Sequence, residues 1–404
     1  MNCRGCNSSD LETLIDLGEN PLSNSYLISQ NDEDRKYPLN CRVCLKCGFV
    51  QVESVVSREE IFSADYPYFS SYSNSWLEHS RDFALNVIQE FELEADSLII
   101  EIASNDGYLL QYFKEKGFEV LGIEPTEGTA KIAIKEKNIP TLVKFFGLKT
   151  ALYLQPNFKP KIMIGINVLA HVPDIHDFVK AFSVLSSNDT ITIFEFPHLL
   201  NLLKETQFDT IYHEHFSYLN LTSLIPILES HGLRIFNAQR IETHGGSLRI
   251  YCCNIESNYK QTNIVSEILN AESEFDPRNL NVREVFQSNV REIRDSLIRE
   301  VQSLKNNGTL VAYGAAAKGN TLLNFCNVTC DDIAYVVDLN PNKQGKFMPG
   351  SKIPIVSLSA LTDLKPDSIL LLPWNLSNEI LISLKSLGLK SKILTAIPKI
   401  KYLQ

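Results

Sequence analysis

The sequence predicts an α/β protein: a small cysteine-rich N-terminal domain followed by two doubly wound α/β domains. Three observations predict it. Five of the nine cysteines fall within the first 47 residues, in CxxC spacing. Between about 80 and 255, short apolar runs alternate with amphipathic segments, the pattern of a parallel sheet covered by helices. The same alternation resumes after a long amphipathic stretch at 283–305. A chain of 404 residues is long enough for two or three cores, and 44% hydrophobic with 21% charged content is ordinary for a globular enzyme.

The N-terminal segment holds Cys3-x2-Cys6 and Cys44-x2-Cys47-Gly48, two pairs separated by 37 residues. A CxxC turn presents two sulfurs from one knuckle, and two such turns complete the four-thiolate set of tetrahedral zinc. Gly48 suits the left-handed turn that ends such a knuckle. Cys41-x2-Cys44 is also a CxxC, so Cys41 competes for the second pair; the trailing glycine favours Cys44 and Cys47. Four thiolates leave no open position, so the expected zinc is structural. Clustered cysteines in a reducing compartment read as metal ligands rather than disulfides. Cys252, Cys253, Cys326 and Cys330 read as ordinary core or surface residues. The N-terminus has no apolar signal core and no run of eighteen apolar residues occurs, so the expectation is a cytoplasmic protein without a membrane partner. The net charge of −10 argues against nucleic acid.

In the central segment SLIIEIAS, FEVLGIEP, KIMIGINV and TITIFEF read as strands. The first runs through Glu101 into the turn Ala103-Ser104-Asn105-Asp106-Gly107, and YLLQYF opens a helix. The second strand ends at Glu124, seventeen residues past Gly107. An acidic residue there is how such sheets hold an adenosine ribose. The turn carries one glycine and is not GxGxxG, which disfavours a pyrophosphate cofactor; S-adenosylmethionine needs no phosphate cradle. A plain strand-to-helix turn with a surface Glu124 is the competing reading. IMIGINVLAHVPD brings Asn167 and His171 to the same sheet edge, where they would line a cofactor.

IYHEHFSY, residues 211–218, packs two histidines, a glutamate and two tyrosines together. A zinc helix is the weaker reading, because HExxH places its histidines at i and i+4 and these stand two apart, and an aromatic-rich surface loop is the other alternative. HGGSLR, from His244, puts Gly245 and Gly246 at a strand edge, either for close approach to a ligand or as a hairpin bulge. The amphipathic stretch places Phe286, Val290, Ile293, Leu297 and Val301 at helical spacing. The Asn-rich region 256–282 before it reads as a linker. In AYGAAAKGNTLLNF a small-residue loop opens a helix, and Lys318 with the helix N-terminus would attract a diphosphate.

The ordered set CxxC…CxxCG, EIASNDGYLLQ, NVLAHVPD, EFPHL, YHEHFSY, THGGSLR and YGAAAKGN…WN resembles the three-domain sugar C-methyltransferases over essentially the whole chain. One departure is Ala103, where methyltransferase loops commonly carry glycine. The resemblance implies a zinc-binding domain (1–75), an S-adenosylmethionine-binding Rossmann-like domain (76–270) and a C-terminal Rossmann-like domain (271–404) that helps bind a nucleotide sugar. It implies a nucleotide-linked 4-keto deoxysugar as substrate, with the TDP-sugar C-3 methyltransferases as the nearest functional type; the sugar, the methylated carbon and the nucleotide stay open, and a monomer is expected. Cofactor contacts are expected from Glu101, Ala103, Asn105, Asp106, Gly107, Glu124, Asn167 and His171, and substrate contacts from His244, Gly245, Lys318 and Asn320. The family's Tyr-x-Glu-His motif maps onto Tyr212, Glu214 and His215, with His215 as base, Glu214 orienting it and Tyr212 near the sugar. A further tyrosine from DYPYFSSYSNSW is implied at the sugar; Tyr68 fits best, with Tyr66 and Tyr72 as alternatives. The competing functions are a methyltransferase of this fold acting on another small metabolite, a catalytically idle zinc-containing binding protein, and an NAD-dependent oxidoreductase.

Overall fold

The computed structural model describes residues 1–61 and 69–404. Its first sheet is antiparallel and has four strands, ordered Leu11–Pro21, Lys36–Cys44, Val50–Val52 and Ser217–Tyr218. The fourth strand comes from the far end of IYHEHFSY, so the N-terminal domain completes its sheet with the central domain's motif. Val50 pairs with Tyr218 and Gln51 with Ser217.

The central sheet has seven strands. Leu98–Ile102 lies in the middle, flanked on one side by Glu119–Ile123 and Thr141–Leu142 and on the other by Ile162–Ile166 and Ile191–Pro197, all parallel. The hairpin Leu233–Ile241/Ser247–Asn254 extends the latter side antiparallel. Strands buried on both faces need continuous apolar runs, which is why IMIGI and ITIFEF lack alternation. Strand order reverses at Leu98–Ile102, and the crevice at its carboxyl end is where ligands bind in such sheets. The third sheet repeats the plan: Leu310–Tyr313 is flanked by Val336–Val337 and Ile355–Val356 on one side and Ser368–Leu371 and Lys392–Thr395 on the other, with Lys401–Tyr402 added antiparallel.

The long helix runs Leu280–Asn307 and buries the expected stripe, extended to Leu304. Each fully buried aliphatic or aromatic side chain of that stripe is worth about 1.5–3 kcal/mol. It packs against both the N-terminal and the C-terminal sheets, whose buried residues form one continuous core that includes Leu14, Val50, Phe286, Leu297 and Leu370. The region expected to be a linker instead contains the helix Asn263–Glu274. Val265 and Ile268 bury one face of it, and Glu272 accepts hydrogen bonds from the Leu221 and Thr222 backbone N–H groups and sits 2.8 Å from His198. Its polar composition hides two apolar anchors one helical turn apart. Among the described residues, no helix is long and apolar enough to cross a membrane.

Candidate active site

The sulfurs of Cys3, Cys6, Cys44 and Cys47 lie within 4.8 Å of one another, with Cys3–Cys47 and Cys6–Cys44 both at 3.6 Å. Tetrahedral thiolates on zinc sit about 3.8 Å apart, so the donor set and its spacing fit the metal. Cys41 is outside the group. It lies fully buried on strand Lys36–Cys44, paired with Val52, and burial pushes its thiol pKa up. Arg4, between the first two ligands, donates 2.7 Å to the Phe216 carbonyl and 2.8 Å to that of Val52. The zinc knuckle therefore grips the backbone of IYHEHFSY.

The turn after Leu98–Ile102 carries its strain at alternate residues. Ala103 has φ +58°, Asn105 +49° and Gly107 +75°. Its backbone makes a glycine-type turn with one glycine: asparagine is among the residues that adopt left-handed geometry, whereas Ala103 holds it at a cost of about 1–2 kcal/mol. Gly107 cannot be replaced cheaply: a Cβ there would stand 2.5 Å from Ile139. Glu124 ends the next strand. Its Oε2 accepts the Asn105 N–H at 2.9 Å and its Oε1 the Thr126 N–H at 2.9 Å. Burial pushes its pKa up while these donors pull it back. A carboxylate has about four acceptor positions, so it can still receive ribose hydroxyls.

One cavity of about 340 Å³ runs from this turn to the C-terminal domain. Ala103, Asn105, Glu124 and the rings of Trp76, Tyr108 and Phe146 line one end. Asn167, His171, Tyr212, Glu214, His215 and His244 line the middle, and Ala316, Ala317, Lys318 and Lys343 the other end. The Oδ1 of Asn167 is buried there with no protein partner, an acceptor suited to a polar ligand. The cofactor-facing residues thus fit S-adenosylmethionine: a carboxylate at the strand end, apolar rings for a base, and an unmatched acceptor between them.

At the centre the His215 Nδ1 faces the Thr210 carbonyl at 2.9 Å, so that nitrogen carries the proton. Its Nε2 then accepts the hydroxyl of Tyr212 at 2.7 Å. Burial pushes the His215 pKa well below 6.5, and His171 and Lys318 push the same way. Thr210, not Glu214, orients this ring; Glu214 Oε1 instead accepts the Asn24 side-chain N–H at 2.7 Å. The His171 Nδ1 donates to the Glu214 carbonyl at 2.9 Å, and burial holds this ring at about 4. His244, at φ +56°, takes the Asn167 amide at 2.9 Å and is held by burial at about 4.

Several expected contacts are placed elsewhere. Glu101 is wholly buried beneath the turn and does not line the cavity; burial raises its pKa well above the carboxylate range. Asp106 faces away and accepts the Ser71 N–H at 3.2 Å, with Lys137 at 3.7 Å. Gly245 packs under Trp374, where a Cβ would come within 2.3 Å of the indole. Asn320 is buried in helix Ala317–Phe325 and receives the Asn324 amide at 3.2 Å. Tyr66 and Tyr68 lie outside the described residues, and Tyr72 is exposed.

Other site residues left no local signal. Asn24 reaches the cavity from the N-terminal domain, 190 positions from Glu214. Asp209, two residues before the motif, accepts the Trp374 indole N–H at 2.7 Å, and the Lys318 ammonium lies 4.9 Å over that indole. Glu195 binds Arg249 at 2.7 Å and His79 at 3.0 Å. Burial alone would raise its pKa, but these partners hold it at about 2. His79 and His244 in turn flank Trp76 at 5.0 and 4.9 Å.

A four-thiolate knuckle, a strand-to-helix turn backed by Glu124, and a cavity shared with a second doubly wound domain define a zinc-containing methyltransferase architecture. Residues 3–62 match a zinc binding domain family, 76–237 a methyltransferase domain family and 242–398 a C-methyltransferase C-terminal domain family. The chain is 31% identical to the C-methyltransferase NovU of Streptomyces niveus over 383 residues, 94% of this chain and 91% of that one. It belongs to the three-domain, zinc-containing, S-adenosylmethionine-dependent C-methyltransferases. Solved structures overlap less of it. A methyltransferase from Clostridium acetobutylicum covers 44% of this chain and 92% of its own at 12% identity and TM-score 0.36. Magnesium protoporphyrin IX methyltransferase from Synechocystis covers 44% and 83% at 14% identity and TM-score 0.36.

Proposed function

We propose that this C-methyltransferase acts on a nucleotide-linked 4-keto deoxysugar, with TDP as the nucleotide, and that His215 removes the proton α to the ketone. The observation that carries the reading is a cavity lined by the Tyr212–His215 pair together with Glu124 of the central domain and Lys318 and Lys343 of the C-terminal domain. Methylation of a carbon beside a ketone requires that proton to leave and an oxyanion to be stabilised. S-adenosylmethionine, which Glu124 and the rings beside it would hold, would supply an electrophilic methyl group. Burial keeps the His215 imidazole neutral, the form that accepts a proton. Its Nε2 lone pair is engaged by the Tyr212 hydroxyl, so substrate entry has to displace that bond. In this reading the ketone oxygen takes over the hydroxyl, which frees Nε2 for the α-proton and places a donor on the growing negative charge. Lys318 and Lys343 are the two ammonium groups among the described residues lining the cavity, and both stand at the C-terminal-domain end, where a diphosphate would be held. The similarity to NovU supports carbon as the methyl acceptor. The proposal is tested with TDP-, GDP- and CDP-linked keto sugars and methyl-labelled cofactor. Transfer of label to carbon of a TDP-keto sugar is the expected result. Transfer only to GDP- or CDP-keto sugars replaces the nucleotide, and no transfer to any of them points to another small metabolite.

A further inference from the structure

The loop joining strands Leu11–Pro21 and Lys36–Cys44 belongs by sequence to the zinc-binding domain, yet it lines the cavity with Asn24 and docks on the C-terminal domain. Leu27 bridges to Phe347. The Lys352 ammonium donates 3.0 Å to the Gln30 carbonyl and 2.6 Å to that of Asp32. The Tyr26 hydroxyl donates 2.6 Å to the Ala315 carbonyl, beside the small-residue loop that leads to Lys318. Lys343 donates 2.8 Å to that same carbonyl and lies 5.3 Å over the Tyr26 ring. Between these anchors Asn24 turns into the cavity, its Nδ2 2.7 Å from Glu214 Oε1 and its Oδ1 3.3 Å from the Tyr26 hydroxyl.

We infer that Asn24 is a positioning residue for catalysis: it fixes the Glu214 carboxylate in the substrate cavity, so that the zinc-binding domain contributes a side chain to the active site and not only a scaffold. The inference rests on the reading that the Tyr212–His215 motif is the reaction centre. A carboxylate that accepts an amide N–H has one oxygen committed, which sets the direction of its remaining lone pairs. Asn24 stands two residues from Tyr26, whose hydroxyl proton is committed to the Ala315 carbonyl, so the loop that carries Asn24 is seated on the C-terminal domain.

The experiment compares Asn24→Ala, Asn24→Asp and Glu214→Gln by steady-state kinetics and by binding of S-adenosylhomocysteine. Asn24→Ala is expected to lower kcat by about tenfold to a hundredfold, the scale of a misplaced group in an active site, with unchanged S-adenosylhomocysteine affinity. Asn24→Asp sets two carboxyl groups face to face, which share a proton at low pH and repel when both ionise. The titratable groups around that point are Tyr26 on the loop, Lys343 and Asp338 from the C-terminal domain, and His171 and His215 from the central domain. They are present in both proteins, so the ratio of Asn24→Asp to wild-type kcat/KM isolates the new pair, and it should fall as pH rises from about 5.5 to 9. The moving ratio reports that position 24 faces the Glu214 carboxylate, and the fall of kcat in Asn24→Ala at unchanged S-adenosylhomocysteine affinity separates positioning from a merely structural role. Wild-type kcat in Asn24→Ala, or a flat ratio for Asn24→Asp, while Glu214→Gln is impaired, overturns the inference alone. Wild-type turnover in Glu214→Gln overturns the inference as well, whereas the Tyr212–His215 reading beneath it falls only if His215→Ala turns over at the wild-type rate.

Discussion

The hydroxyl of Tyr212 stands 2.7 Å from Nε2 of His215 and donates to it, because the ring's other nitrogen is committed to the Thr210 carbonyl. Tautomer, charge and orientation of the imidazole are thereby set before any ligand arrives. Replacing His215 by alanine should slow turnover by about 10²–10⁴ while S-adenosylhomocysteine binding survives. Solvent deuterium exchange at the sugar carbon, measured with S-adenosylhomocysteine in place of the methyl donor, checks the role. Exchange at the wild-type rate in the variant would move the base to Tyr212 or His244. Because burial lowers the His215 pKa, the ring stays unprotonated as pH falls through 6.5, so kcat/KM should show no histidine titration near that value.

Glu124 already holds the Asn105 and Thr126 backbone N–H groups. Glu124→Ala should weaken S-adenosylmethionine binding by about 1.5–3 kcal/mol, the scale of a charged hydrogen-bond partner. Calorimetry measures it, and unchanged affinity would place the cofactor elsewhere.

Cys44→Ser should lose zinc by metal analysis, whereas Cys41→Ser should retain it, since only Cys44 stands in the four-sulfur group. Turnover in Cys44→Ser should fall, because Arg4, next to the ligand Cys3, holds the Phe216 carbonyl. S-adenosylhomocysteine affinity should fall with it, because the Gly5 carbonyl accepts from His176 at 3.0 Å and Cys3 and Cys44 share a core with Ile102, Phe146 and Phe178 of the cavity lining.

Asp209 is wholly buried, and burial lifts its pKa from 3.8 to about 6 against the pull of Lys318 and the Trp374 indole. Its folded pKa lies above its unfolded one, so ionising it costs stability above about pH 6, and the cost vanishes as pH falls towards 4. Asp209→Asn removes the charge and keeps an acceptor for Trp374. Relative to wild type, the variant should gain up to about 3 kcal/mol between pH 4 and pH 8, read from urea unfolding at both ends. A pH-independent difference would mean that Asp209 is not titrating as its burial requires.

The parts of this molecule that were legible in the sequence are those in which a few adjacent residues carry the whole physical requirement. Two CxxC turns announce four sulfurs, the run from Ile99 to Gly107 announces a strand and its turn, and the spacing from Phe286 to Val301 announces a buried helix face. The turn hid its nature, because Ala103 and Asn105 adopt the left-handed backbone that glycine usually marks. What stayed hidden depends on pairs distant in sequence. Asn24 meets Glu214, Asp209 meets Trp374, and Gly245 is a glycine because an indole from the third domain lies against it. Glu214 was misassigned as the partner of His215 for the same reason: sequence adjacency suggested it, while the Thr210 carbonyl, five positions upstream of His215, had no side-chain signature to show.

The pairing of Gln51 with Ser217 also imposes an order in time. When the first sixty residues leave the ribosome, three of the four strands of their sheet exist, and the fourth is 166 residues away. At a synthesis rate of roughly 5–20 residues per second, strand Val50–Val52 waits about 8–30 s with an open edge. During that interval the nascent domain can gather its four sulfurs but cannot close its sheet. The segment that finally closes it is the one that carries Tyr212 and His215, so a chain stalled before residue 217 is left with an unprotected strand for quality control to find.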